Sequence, residues 1–164
     1  MNKIAVFPGS FDPFTVGHEA IVKKSLKLFD KIIIAIGANA LKKNYYSLET
    51  RKQMIRKVFQ NEPRVSVEHY EGLTVDFCKK SNAEYILRGL RTSADFEFER
   101  AIAQVNKVMV PDVESVFLLT APEHAHINST IVRDIIRSGG DASVFLPKAI
   151  IIKDYKGDEE TPLH

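Results

Sequence analysis

The sequence contains one cysteine, Cys78, in 164 residues. A lone thiol cannot close an intramolecular disulfide, and no cysteine–histidine zinc spacing occurs, so the fold must rest on its packed core. In the apolar context Val75-Asp-Phe-Cys78 the thiol reads as a small core residue rather than a nucleophile. His124 and His126 are close enough to suggest a metal pair, but neither cysteine nor carboxylate stands at ligand spacing, and no metal site is expected. No apolar run approaches the roughly 20 residues of a membrane-spanning helix. Pro8 and Gly9 end the only apolar stretch near the N-terminus, so no signal peptide is read there and a cytoplasmic location is expected. Charge of one sign is also lacking. The 23 Lys and Arg against 21 Asp and Glu leave a formal +2, and no basic run interleaved with aromatics appears, which argues against a nucleic-acid partner. Neither Gly-x-x-x-x-Gly-Lys-(Ser/Thr) nor Gly-x-Gly-x-x-Gly occurs, which excludes a Walker-type NTPase and a dinucleotide dehydrogenase. Internal repeats and low-complexity segments are absent as well.

What remains is an ordinary globular composition, 45% hydrophobic and 27% charged, in a chain long enough for one domain with a continuous core. Strand patterns recur at Lys3 to Phe7, Lys31 to Gly37, Val65 to His69, Glu84 to Leu87 and Ser115 to Leu119. Between them lie helical patterns on Ala20 to Phe29, Leu48 to Phe59, Val75 to Lys80 and Phe96 to Met109, and a fifth from about Thr130 to Arg137, stopped by Gly139-Gly140. In Ile32-Ile-Ile-Ala-Ile36 every position is apolar, the pattern of a strand covered on both faces. The expected fold is α/β: a Rossmann-like, doubly wound, parallel five-stranded sheet in a single domain over residues 1–152. Residues 153–164 lose apolar periodicity and gain charge, as a frayed polar tail would.

The segment Phe7-Pro-Gly-Ser-Phe-Asp-Pro-Phe-Thr-Val-Gly-His18 joins a strand end to a helix start. Ligands of open parallel sheets bind at such carboxyl ends, where a helix N-terminus offers N–H groups and positive potential to an anion. Thr15 suits the N-cap position, which places His18 in the first turn, able to donate to a phosphoryl oxygen. The helix dipole there disfavours an added proton. A histidine on the face of Val22, Ser25 and Phe29 also fits a hydrogen-bonded core role, but Gly17 beside it admits close approach of a ligand. Thr15-Val-Gly-His18 has the form of the (Thr/His)-x-Gly-His signature of the nucleotidyltransferase superfamily, and Gly9-Ser-Phe-Asp-Pro13 precedes it at matching spacing.

Three further segments face the same expected sheet edge. Lys42 and Lys43 lie in a long polar loop that either folds over an anion or leaves both charges solvated. In Ile86-Leu-Arg-Gly-Leu-Arg91, Gly89 is expected to allow a sharp turn that returns Arg91 beside Arg88, so that two guanidinium groups converge on phosphates. On the next helix Phe98, Ile102, Val105 and Met109 are expected as the core stripe. The neighbouring face carries Glu99, which fits a ribose or base contact or plain solvation. In His124-Ala-His-Ile-Asn-Ser-Thr130, Ser129 and Thr130 fall at a helix start, as N-caps or as part of a second anion site.

Together the four segments resemble the bacterial-type phosphopantetheine adenylyltransferases, from Lys3 to about Pro147. The pattern Arg-Gly-Leu-Arg-x-x-x-Asp-Phe-Glu-x-Glu, followed by Glu-Ser-Val-Phe-Leu and Ile-x-Ser-Thr-x-x-Arg, is the family's own. The resemblance implies transfer of AMP from ATP to 4′-phosphopantetheine, giving 3′-dephospho-coenzyme A and pyrophosphate by reversible in-line displacement, with Mg2+ carried by the ATP phosphates. It implies catalytic roles for His18, Lys42 and Ser10. Phosphopantetheine would be held by Ser10, Lys42, Thr74 and Arg88. ATP would be held by Ser10, Phe11, His18, Gly89, Leu90, Arg91 and Glu99, and by His124, Ala125, His126, Ile127, Asn128, Ser129 and Thr130. A homohexamer built as a dimer of trimers and feedback binding of coenzyme A are implied too. Three positions depart from the family pattern: Ser10 where Thr is common, Ala40 where Pro is common, and Asn128 where Ser is common. A related enzyme with another acceptor, such as nicotinate mononucleotide, and a non-catalytic nucleotide sensor are the alternative readings.

Overall fold

The computed structural model describes residues 2–39 and 41–157; the Ala40 departure and residues 158–164 of the expected tail lie outside them. Strands β1 (Ile4–Gly9), β2 (Lys31–Gly37), β3 (Val65–Tyr70), β4 (Tyr85–Leu90) and β5 (Glu114–Leu119) alternate with helices α1 (Val16–Ser25), α2 (Leu48–Val58), α3 (Thr74–Lys80), α4 (Ser93–Met109) and α5 (Ser129–Arg137). All strand pairs run parallel, in the order β3-β2-β1-β4-β5. The chain therefore winds outward from β1 through β2 to β3, then crosses to β4 on the other side of β1. At that reversal the loops after β1 and β4 diverge to opposite faces and leave a crevice between them.

Strand alternation assigns the two faces. Ala5, Phe7, Ile32, Ile34, Ile36 and Leu87 pack under α1, α2 and α5, while Val6, Ile33, Ala35 and Ile86 pack with Val75 and Cys78 of α3 and with Val110 and Val113. Burial raises the Cys78 thiol to about 11, so it stays protonated and inert. Among the described residues no helix is long and apolar enough to cross a membrane.

Two sequence expectations change here. The α4 residues expected as a core stripe are largely exposed: Phe98 68%, Val105 59%, Met109 45% and Ile102 40%. The residue of α4 that is buried is Glu99. Amphipathic spacing records that a helix has an apolar face, not whether its own chain covers it. Gly89 makes no turn either, since β4 runs on through Arg88 and Gly89 to Leu90. Its glycine is set by packing: an added Cβ would lie 3.1 Å from Cγ1 of Ile21 on α1. At the other end of the described chain, residues 152–154 form a 3-10 turn and Tyr155 packs against the main core.

Candidate active site

The crevice holds two adjoining hollows of about 340 and 300 Å³ that share Pro8, Gly9, Ser10, Arg88 and Glu99 as a common wall. The first opens between the starts of α1 and α5, lined by His18, Lys42, Arg91, His124 and residues 127–130. The second runs beneath α4, lined by Tyr70, Thr74, Phe98, Ile102 and Asn106. One is thus rich in cations and helix N-termini, the other more apolar.

His18 is held by a reciprocal cap. The Thr15 hydroxyl accepts from His18 N–H at 3.4 Å, while Nδ1 of His18 accepts from Thr15 N–H at 3.0 Å. Histidine thereby fills the place that Glu or Gln takes in a capping box. A ring nitrogen that accepts carries no proton, so the neutral imidazole must bear its hydrogen on Nε2. Phe7, Phe11 and Phe14 surround the ring at centroid distances of 6.2, 5.0 and 5.3 Å. Burial among them, and then the charges of Arg88 and Arg91, lower its pKa to about 3. His18 is therefore a neutral donor. Phe11 itself adopts φ 49°, and its ring lies where a Cβ on Gly9 would meet it at 2.9 Å, so a side chain at position 9 would push that ring aside.

An unfolded histidine titrates near 6.5 and the folded one near 3, so between these values the unfolded state binds the proton. His18 accordingly contributes stability that is complete above about pH 6.5 and is lost as pH falls toward 3. Ring 15N NMR should show His18 protonated on Nε2 at pH 7 and no titration of that ring between pH 7 and 5. A titration midpoint near 6.5, or a proton on Nδ1, would contradict the cap.

Around His18 the donors converge. Lys42 Nζ donates to the Ser10 hydroxyl at 3.1 Å. Arg88 donates through Nε and Nη2 to Glu99 at 3.0 and 2.6 Å and through Nη1 to the Pro8 carbonyl at 2.7 Å. These bonds use three of the five guanidinium N–H groups and leave two for an anion. Arg91 is steadied by Asp95 at 3.2 Å. Both acidic groups of the first hollow are thus matched to arginines, and its net character is cationic. Among the described residues no group of three or more His, Cys, Asp or Glu could hold a metal.

Of the residues singled out from sequence, Ser10, Phe11, His18, Lys42, Arg88, Gly89, Arg91, Glu99, His124, Ile127, Asn128, Ser129 and Thr130 line the first hollow, and Thr74 the second. Three do not reach either. Leu90 is buried at the end of β4, its carbonyl accepting from Thr120 N–H. The 3-10 turn over residues 122–124 points His124 inward, whereas Ala125 and His126 stay off the wall, His126 facing the Phe145 ring. Glu99, on the wall of both hollows, accepts two of Arg88's hydrogen bonds. Ser129 and Thr130 are not the N-cap: Asn128 is, accepting from Ile131 N–H at 2.9 Å, and the Ser129 hydroxyl donates to the Pro13 carbonyl. Arg133, Asp95 and Tyr70, to which sequence reasoning assigns no role, also line the crevice. Arg91 and Asp95 are four apart across a helix start, a spacing legible in the sequence; Tyr70, whose hydroxyl pairs with that of Thr74 at 2.8 Å, gave no such signal.

Comparison with known proteins shows what the whole chain is similar to. The family model described as cytidylyltransferase-like matches residues 6–135. Curated phosphopantetheine adenylyltransferases are similar over nearly their whole lengths. That of Flavobacterium psychrophilum is 58% identical over 149 residues, 91% of this chain and 98% of the relative. That of Cytophaga hutchinsonii is 50% identical over 150 residues, 92% and 100%, and that of Bacteroides fragilis 44% over 146 residues, 89% and 97%. Among solved structures, a bifunctional NMN adenylyltransferase/ADP ribose pyrophosphatase from Francisella tularensis superposes with a TM-score of 0.71 at 21% identity, a likeness of fold. That match covers 92% of this chain and 46% of the other, so the chain spans about half the length of that structure.

Proposed function

The chain belongs to the cytidylyltransferase-like family, and within it to the phosphopantetheine adenylyltransferases, and from that premise we propose that it transfers AMP from ATP to 4′-phosphopantetheine. The products are 3′-dephospho-coenzyme A and pyrophosphate. The observation that carries the reading is the neutral His18, its Nε2–H fixed by the Thr15 cap, beside Lys42, Arg88 and Arg91 in one crevice.

Triphosphate and adenine fit the cationic hollow between the starts of α1 and α5; the pantetheine arm fits the more apolar one under α4. The shared wall of Ser10 and Arg88 then lies where the acceptor phosphate meets the α-phosphorus. A phosphate oxygen of the acceptor forms the new P–O bond as the bond to the β-phosphate oxygen breaks, and pyrophosphate leaves with its electron pair. The nucleophile is already an anion, so no strong base is needed. Catalysis rests on alignment and on donors aimed at the α-phosphoryl oxygens. His18 supplies such a donor without adding a charge that would hold the product, and Lys42 and Arg88 fix the incoming phosphate. Magnesium is assigned to the phosphates of ATP themselves, because the crevice carboxylates Asp95 and Glu99 are engaged by arginines.

The exposed apolar face of α4 supports self-association, and the homohexamer of two trimers belongs to this proposal, together with a cytoplasmic location. Feedback by coenzyme A follows the same logic, since a product-like ligand fits the same two hollows.

A panel of acceptors tests the function. Pyrophosphate should be released from ATP with phosphopantetheine and not with nicotinate mononucleotide or glycerol 3-phosphate; release with nicotinate mononucleotide instead would assign a different acceptor. ATP and labelled pyrophosphate alone should show no exchange, because no covalent enzyme intermediate is involved. Exchange without acceptor would mean an adenylylated side chain and would replace direct displacement.

A further inference from the structure

Arg51 lies on α2, outside both hollows, with 3% of its surface exposed. A guanidinium that far from water must have its donors satisfied, and this one joins two loops. Its Nη1 donates to the Ser10 carbonyl at 2.7 Å and its Nε to the Tyr46 carbonyl at 3.0 Å. Asp12, equally buried, makes the complementary bonds: its two carboxylate oxygens accept from Tyr45 N–H at 2.7 Å and Tyr46 N–H at 2.8 Å. The loop after β1 and the loop after β2 are thus stapled by four hydrogen bonds between residues more than thirty apart in sequence, apart from the local Arg51–Tyr46 link.

Three residues before Tyr45 stands Lys42, whose ammonium reaches Ser10. The segment that carries it is open to solvent, Leu41 being 96% exposed, so packing at the lysine itself does little to fix its place. The staple at Tyr45 and Tyr46 does. We propose that Arg51, acting together with Asp12, is a positioning residue that holds Lys42 in place for the acceptor phosphate, although it touches no substrate. The assignment rests on the adenylyltransfer reading above.

Kinetics of Arg51→Lys, Arg51→Gln and Asp12→Asn, alone and combined with Lys42→Ala, test it. A displacement of about 1 Å can cost on the order of 10²-fold in rate, and a loss of that order in kcat/KM for phosphopantetheine is expected in the single variants. ATP affinity by calorimetry should change far less. In the Lys42→Ala background the same substitutions should add no more than roughly twofold, since groups acting through one another are not additive. Lysine at position 51 keeps the charge but not the fork, so rescue should be partial. Independent multiplication of the Arg51 and Lys42 losses, or equal losses for ATP and acceptor, would overturn the assignment. Should Arg51→Gln fail to fold, Arg51→Lys and Asp12→Asn carry the comparison. Absence of wild-type turnover with phosphopantetheine would defeat the functional reading itself, whereas wild-type turnover with additive losses defeats only the role given to Arg51.

Discussion

Replacing His18 by alanine should lower the rate of the chemical step by roughly 10²- to 10³-fold, the usual loss for a donor aimed at charge that develops in the transition state. The ground state gains little from the same N–H, so ATP binding should stay within a modest factor. A separate effect on the fold is expected. Alanine removes the acceptor for Thr15 N–H, and loss of a cap costs about 0.5–2 kcal/mol. The two effects are read by different measurements, single-turnover kinetics for the first and chemical unfolding for the second. An unchanged single-turnover rate with weakened ATP binding would make His18 a ground-state ligand and sink the mechanism. The neutral state of the ring adds a condition on pH: with a pKa of about 3, protonation of His18 should leave no break in the rate profile near 6.5. The second ionisation of the acceptor phosphate falls close to that pH, so the profile is best taken on kcat at saturating acceptor.

Arg88→Ala should be the most damaging change in the acceptor half of the crevice. The side chain holds Glu99 through two bonds and the Pro8 carbonyl through a third, and Glu99 is only 9% exposed. Its removal leaves a carboxylate near-buried without its partner. Arg88 is itself one-third exposed, so water can partly replace it, and the destabilisation expected is about 1–3 kcal/mol rather than the larger cost of a fully buried pair. Binding suffers further, because the two remaining guanidinium N–H groups vanish with the side chain. Phosphopantetheine affinity should fall much more than ATP affinity, whereas Arg91→Ala should do the reverse. Calorimetric titration of both variants with both substrates decides it; equal losses in all four titrations would erase the partition between the hollows. Lysine at position 88 should restore little, since one ammonium cannot span Glu99 and the Pro8 carbonyl together.

The extent to which the crevice was legible in the sequence differs residue by residue. Thr15 and His18 were placed correctly because a cap and a first turn are local, set by residues three apart. Arg88 and Arg91 were brought to one sheet edge correctly but by the wrong device. The local pattern predicts a turn at Gly89, and the strand instead continues through it because a glycine there lets Ile21 pack against β4. That contact joins residues far apart in sequence and leaves no local mark. Glu99 shows the same limit. Its spacing on α4 fitted a solvated or ligand-facing carboxylate, and only the fold showed Arg88 beside it.

The sequence by itself determined the alternation of strands and helices, the parallel sheet, and the loop that carries His18, since each follows from periodicity and turn chemistry within a few residues. Tertiary structure decided what depends on meetings across the chain. It placed Arg51 and Asp12 between two loops and set the crevice at the reversal between β1 and β4. It also left the apolar face of α4 uncovered. A hydrophobic pattern states how much surface must be hidden, and only the packed chain states where the hiding partner is absent.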